Sequence, residues 1–210
     1  MIKKIFFAAI LLLTGQLVRS QVRALTETGD EVILYENRTW TYVNDSVTAM
    51  HEIKVNDTDF RKSKNSTFLV KSKKLNIGIW IDPEKWNFTK NSTNEAAEFQ
   101  FQKKDEDLYA LMVSEKMQIP VESLKQIALQ NARNAAPDAR IVHEEYRNVN
   151  GIKVLMMQMI GTIQGIKFTY CGYYYSNPNG TVQLLTYTSQ NLYDHYQKDI
   201  ETFLNGFVEL

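Results

Sequence analysis

Few residues in this chain are of a type that does chemistry. The stretch KFTYCGYYYSNPNGTVQLLTYTS, residues 167–189, holds the only cysteine, Cys171, with four tyrosines within four residues of it. A nucleophilic cysteine needs a nearby cation or a helix N-terminus to lower its pKa. Neither lies close in sequence, so a base would have to come from His143 or His195. The alternation around Cys171 gives the plainer reading. Phe168, Tyr170, Gly172 and Tyr174 share one strand face, and Thr169, Cys171, Tyr173 and Tyr175 share the other. Tyrosine favours strands and a free cysteine packs as a small hydrophobe, so Cys171 reads as a buried structural thiol. A thiol-dependent enzyme using Cys171 with His143 is the less favoured alternative.

His143 and Glu145, in VHEEYR at 142–147, are two apart and would point to one strand face. They could share an ion, but a metal site needs at least one further ligand, and none can be named. Cross-strand charge pairing near Arg147 explains these residues without a metal. His195 beside Asp194 reads as a solvated helix face. No phosphate-binding glycine loop, zinc-protease motif or nucleophile elbow occurs, so no catalytic residue, metal or cofactor is assigned. The aromatic residues are the better binding candidates. Trp80, Trp86, Tyr173 and Tyr175, with Trp40, form a rich stock, and such side chains serve binding surfaces and cores alike.

The elements that must position these residues follow from periodicity. Ile77, Ile79 and Ile81 alternate with Asn76, Gly78, Trp80 and Asp82, which predicts a half-buried strand ended by Pro83. Phe99 and Phe101 mark a second strand. The run 108–113 is apolar on both faces and reads as a central one. Val121, Leu124, Ile127, Ala128, Ala132 and Ala135 then recur at three and four, a helix between Pro120 and Pro137. Four strands follow at about 139–149, 152–163, 167–176 and 181–189. Turns containing Gly151, Gly165 and Gly180 separate them and make them antiparallel neighbours. Leu192, Tyr196, Ile200, Phe203, Leu204 and Phe207 predict a C-terminal helix capped by Ser189 or Asn191. The order is α+β, an antiparallel sheet meander with helices packed on it.

The N-terminal third is different. MIKK followed by a short apolar run and QLVRS predicts a signal peptide over residues 1–20, and export of a bacterial protein to the periplasm or beyond. No later stretch is long and apolar enough for a membrane helix. Without residues 1–20 the chain has 21 basic and 24 acidic residues, which argues against a nucleic-acid partner. Residues 21–45 predict a β-hairpin from the runs Val32–Tyr35 and Thr39–Val43, and 46–66 a polar linker with room for one short strand. The locally basic KSKNSTFLVKSKK at 62–74 reads as a solvated strand face. Seven N-x-S/T triplets reflect a composition rich in Asn and Thr.

Residues from about 68 to 210, within a predicted domain over 67–210, resemble the Mog1/PsbP-like family. The likeness is carried by IGIWIDPEKWNF, by the helix opening IPVESLKQIA, by the glycine-turned meander, and by the ending LLTYTSQNLYDHYQKDIETFLNGFVEL. The resemblance implies an α/β/α sandwich and a binding or accessory protein, with no shared catalytic set. It leads to an exported accessory protein with an envelope protein partner, or else a small-molecule module with an aromatic-lined pocket between sheet and helix.

Overall fold

The computed structural model describes residues 22–26, 31–34, 40–42, 53–90 and 96–210. The predicted signal peptide lies outside the described residues. The chain divides into two compact units, 1–51 and 52–210.

The first unit holds three short strands, β1 (Val22–Leu25), β2 (Glu31–Leu34) and β3 (Trp40–Tyr42), antiparallel in the order β1-β2-β3. The expected hairpin is present as β2–β3, with Ile33 opposite Thr41. A third strand adds to it, because Val22–Leu25 pairs along β2. Four residues are too short for alternation to declare a strand, whereas pairing does so.

In the second unit the large sheet has eight strands. They are β4 (Val55–Phe60), β7 (Trp86–Thr89), β8 (Phe99–Lys103), β9 (Tyr109–Glu115), β10 (Arg140–Val149), β11 (Ile152–Ile163), β12 (Ile166–Asn177) and β13 (Gly180–Ser189). Their order is β4-β10-β11-β12-β13-β9-β8-β7. A small sheet runs β14-β6-β5, from β5 (Phe68–Lys71), β6 (Ile77–Ile81) and β14 (Phe207–Glu209). The helices are α1 (Val121–Ala135) and α2 (Tyr193–Leu204). All pairings in both sheets are antiparallel except β4 with β10, a parallel pair made by a strand within 46–66.

The meander is set by its turns. Asn150 and Gly151 both have positive φ, 50° and 89°, as do Gln164 and Gly165, 50° and 82°. Two successive residues of that kind make the tight turn whose twist matches paired strands. Between them, β10 to β13 stay in continuous register apart from one irregularity at Ile141–His143.

Each face of the large sheet is covered. On one side α1 lays Leu124 and Ala128 on Leu155, Met157 and Tyr174. On the other, α2 and the small sheet bring Ile200, Phe203, Ile79 and Phe207 against Cys171, Tyr173 and Leu184. Ile127, expected in the apolar stripe of α1, is 42% exposed, so the buried stripe is narrower than the spacing implied. Pro120 stands one position before the helix, at its cap.

The C-terminus corrects the sequence reading. The cap of α2 is Leu192, preceded by a single 3-10 turn, and neither Ser189 nor Asn191 caps it by a side chain. The helix stops at Leu204, and Phe207 belongs to a strand instead. Phe207 pairs with Ile79, and the Gly206 carbonyl accepts the Trp80 amide at 2.8 Å. A Cβ on Gly206 would stand 2.0 Å from the Trp80 carbonyl oxygen, so only glycine permits this approach.

Candidate functional site

Cys171 sits in the middle of β12, in one row with Gln158 of β11 and Thr186 of β13. His143 pairs with Gln158, so it lies two strands from Cys171. Two strand spacings are roughly 10 Å, beyond proton-transfer reach. Burial pushes the Cys171 thiol up to about 12, and the nearby Arg147 charge only partly offsets this. The thiol is therefore held protonated, and His143 stands too far away to act as its base.

His143 and Glu145 do approach, with Nε2 and Oε2 3.7 Å apart. The Glu145 carboxylate is already engaged. Its Oε1 accepts Arg147 Nε at 2.6 Å and Asn56 Nδ2 at 3.1 Å. Burial works against its ionisation, but these two hydrogen bonds and the Arg147 charge hold its pKa below the usual value. Among the described residues no three His, Cys, Asp or Glu side chains cluster as metal ligands.

The four aromatic candidates do not converge. Tyr173 is 1% exposed, and its hydroxyl donates to Asn205 Oδ1 at 2.7 Å and accepts Arg147 Nη1 at 3.3 Å. Trp86 is 5% exposed, with its ring 4.2 Å from that of Phe203. Tyr175 is half-buried. Its ring meets Phe207 edge-on, and its hydroxyl donates to Glu209 Oε2 at 3.1 Å. Trp80 is half-buried on the outer face of the small sheet, with Lys62 Nζ 5.0 Å from its ring centroid.

Sequence reasoning missed two arrangements. The first is a polar clasp. Arg147 lies over the Phe60 ring at 4.4 Å and bonds Tyr173, which bonds Asn205. Asn150, in the positive-φ turn, donates to the carbonyls of Asn205 and Phe207 at 2.8 and 2.7 Å. The clasp ties β10, β12 and the end of α2 together, and nothing in the separate segments announces it. The second is a basic edge. Residues 61–90 contain eight basic residues and two acidic ones, and all eight basic residues are exposed. The composition of 62–74 was the signal for it.

Two depressions of the surface are lined by described residues. One, of about 250 Å³, lies between the β6–β7 turn and α2. Ile81, Trp86 and Phe203 contribute apolar lining, and Lys85, Asp199 and Thr202 polar groups. Behind it the buried Lys103 bonds Asp199 at 2.7 Å and Glu106 at 2.8 Å. The other, of about 510 Å³, is open and runs past Ile166, Lys167 and Ser189.

Neither a family model nor a curated protein matches the sequence. Solved structures do match. Cyanobacterial PsbP (CyanoP) from Synechocystis is similar with a TM-score of 0.51 at 11% identity, over 68% of this chain and 92% of that one. LpqN of Mycobacterium tuberculosis, described as involved in cell envelope biogenesis, has a TM-score of 0.45 at 12% identity, over 63% and 82%. PA94 of Pseudomonas aeruginosa, a protein of unknown function, has 0.43 at 12%, over 67% and 95%. The order of strands and helices, the two covered sheet faces and the similarity to PsbP lead to one conclusion: this chain has the Mog1/PsbP-like fold.

Proposed function

We propose that the chain is an exported, non-catalytic accessory protein that docks a protein partner at the bacterial cell envelope. The docking face is the outer side of the small sheet, around Trp80. One observation carries this reading. Of the four aromatic candidates, Trp80 alone is both half-exposed and set among exposed cations, in a stretch with eight basic and two acidic residues. Half-exposed tryptophan on a rigid strand gives contact area at little entropic cost, and charge complementarity steers a partner to it. Export is supported by the charged and apolar pattern of residues 1–20, and among the described residues no helix is long and apolar enough to cross a membrane. The domain plan proposed is a signal peptide to residue 20, a small strand unit over 21–45, a connection over 46–66 and a binding domain over 67–210.

The test is photocrosslinking in the native envelope, with a benzophenone amino acid at position 64 and, as control, at position 127 on α1. One stoichiometric protein adduct from position 64 and none from 127 is expected. Equal or absent adducts from both positions would remove the reading.

The cleft beside α2 supports a second reading, a small-ligand site. Its volume, about 250 Å³, and its mix of apolar and hydrogen-bonding lining suit a molecule smaller than a drug. Native mass spectrometry of the purified chain tests it. A retained adduct that Thr202→Trp displaces is the expected result, and a bare mass at all stages would count against it.

A further inference from the structure

We infer that the partner offers an acidic, extended peptide segment, which adds as a strand to the free edge of β5. This rests on the docking reading above and places the ligand chemistry at the edge of that small sheet. Three observations meet at this edge.

The first is backbone. β5 pairs with β6 on one side only, and among the described residues no other backbone group bonds Phe68–Lys71. Such an edge is a template for an added strand. The second is charge. Arg61, Lys74 and Lys85 have carboxylate partners in Asp59, Glu115 and Asp199. The ammonium groups of Lys64, Lys71, Lys73 and Lys90 are exposed and have no carboxylate partner among the described residues, while Glu98 accepts the backbone N–H of Lys73 at 2.5 Å. Two of them, Lys71 and Lys73, end and follow β5 itself. The third is apolar area. Phe68, 45% exposed, and Phe88, 37% exposed, have ring centroids 5.6 Å apart. Behind Phe88 stand the buried rings of Phe99 and Phe101, each 6.2 Å away, so the pair is backed by the core.

These features select among occupants. A second copy of the chain would set lysine against lysine along the edge, and edge lysines are a known device against such pairing. An anionic lipid surface would use the lysines and phenylalanines but not the unpaired backbone. An extended peptide with alternating acidic and apolar side chains uses all three. Its backbone bonds β5, its apolar side chains meet Phe68 and Phe88, and its carboxylates meet the lysines.

The probe is an acetylated, amidated peptide of four Glu-Val repeats, titrated into the full isotope-labelled chain and followed by NMR. Shifts should centre on residues 68–71, and those amides should gain exchange protection. Affinity should fall at least tenfold in K71E/K73E and, separately, in K64E/K90E, with the thermal midpoint of each variant retained. A Lys-Val peptide of equal length should not bind. Four outcomes would overturn the inference. These are no binding at millimolar peptide, shifts away from β5, equal binding of the Lys-Val peptide, and binding by phosphatidylglycerol vesicles but not by the peptide. A crosslinked partner at position 64 together with a silent Glu-Val titration would discard the acidic strand and keep the docking reading. A positive titration with no crosslinked partner would do the reverse.

Discussion

The centre of β12 and the edge of β5 make an instructive pair. The first concentrates the residues that attract a search for chemistry: the lone cysteine, flanked by tyrosines. The second is a four-residue strand, FLVK, set between runs of lysine, serine and asparagine. Folding reverses their standing. Cys171, Tyr173 and Tyr174 are buried, with their polar groups either internally bonded or enclosed. Around β5 two phenylalanine rings and four lysines are exposed, and among the described residues the outer backbone edge has no paired strand. Residue type shows what a side chain can do, and accessibility decides whether it can do it.

The strongest test of this contrast is the thiol. With its pKa near 12 instead of the ordinary 9, Cys171 has a thiolate population at neutral pH about a thousandfold smaller, before steric exclusion is counted. Alkylation of the native chain at pH 7.5 should be at least that much slower than in denaturant. Labelling at the denatured rate would return Cys171 to the list of reactive groups and break the comparison.

Stability should likewise respond on the buried side. Gly206→Ala places a methyl 2.0 Å from the Trp80 carbonyl oxygen, so β14 must separate from β6. The expected loss is about 3 kcal/mol, read as a large drop in the denaturation midpoint. Tyr173→Phe removes the hydroxyl between Arg147 and Asn205 and strands two polar groups. That should cost about 2 kcal/mol, because a buried group left unpaired loses its hydration without compensation. A Tyr173→Phe variant as stable as the parent would show that the clasp is decorative.

Acid should act on the same scaffold. Burial resists ionisation of Glu145 and Asp199. Hydrogen bonds and charges from Arg147 and Asn56, and from Lys103 and Lys85, overcome it, so both carboxyls sit below their ordinary 4.5 and 3.8. A lowered folded pKa means stability that is complete above the ordinary value and lost as pH falls through the folded one. A pH titration of the melting temperature should be flat from neutral down to about 4.5 and fall below it. Asp199→Asn should shallow that fall, and an unchanged slope would exclude the Lys103 pair as its source.

What the sequence disclosed and what it withheld follow one physical rule. Periodic elements were legible. The Ile77–Ile79–Ile81 alternation, α1 and the glycine turns of the meander are local patterns that the fold keeps. β14 and β1 were not, and β4 only as room for one short strand in 46–66, since none of the three carries a sustained apolar alternation and each is defined by the partner it pairs with. The aromatic candidates split for the same reason. Trp86 was a binding candidate, yet the arrival of Phe203 from α2 makes it core. The free edge of β5 was equally invisible, because an edge is defined by which strand is absent beside it, and no local pattern encodes that.

The smallest expected effect sharpens the contrast most. Lys71→Glu and Lys73→Glu alter exposed side chains with no carboxylate partner among the described residues. Each should shift stability by about 0.5 kcal/mol or less, since a solvated surface charge contributes little to folding. The same two substitutions are expected to abolish the crosslink from position 64. Charges that fold the protein no better, yet govern what it holds, are charges kept for a partner. A variant pair that melts several degrees lower would instead assign these lysines to the fold, and the β5 edge would then join β12 as structure.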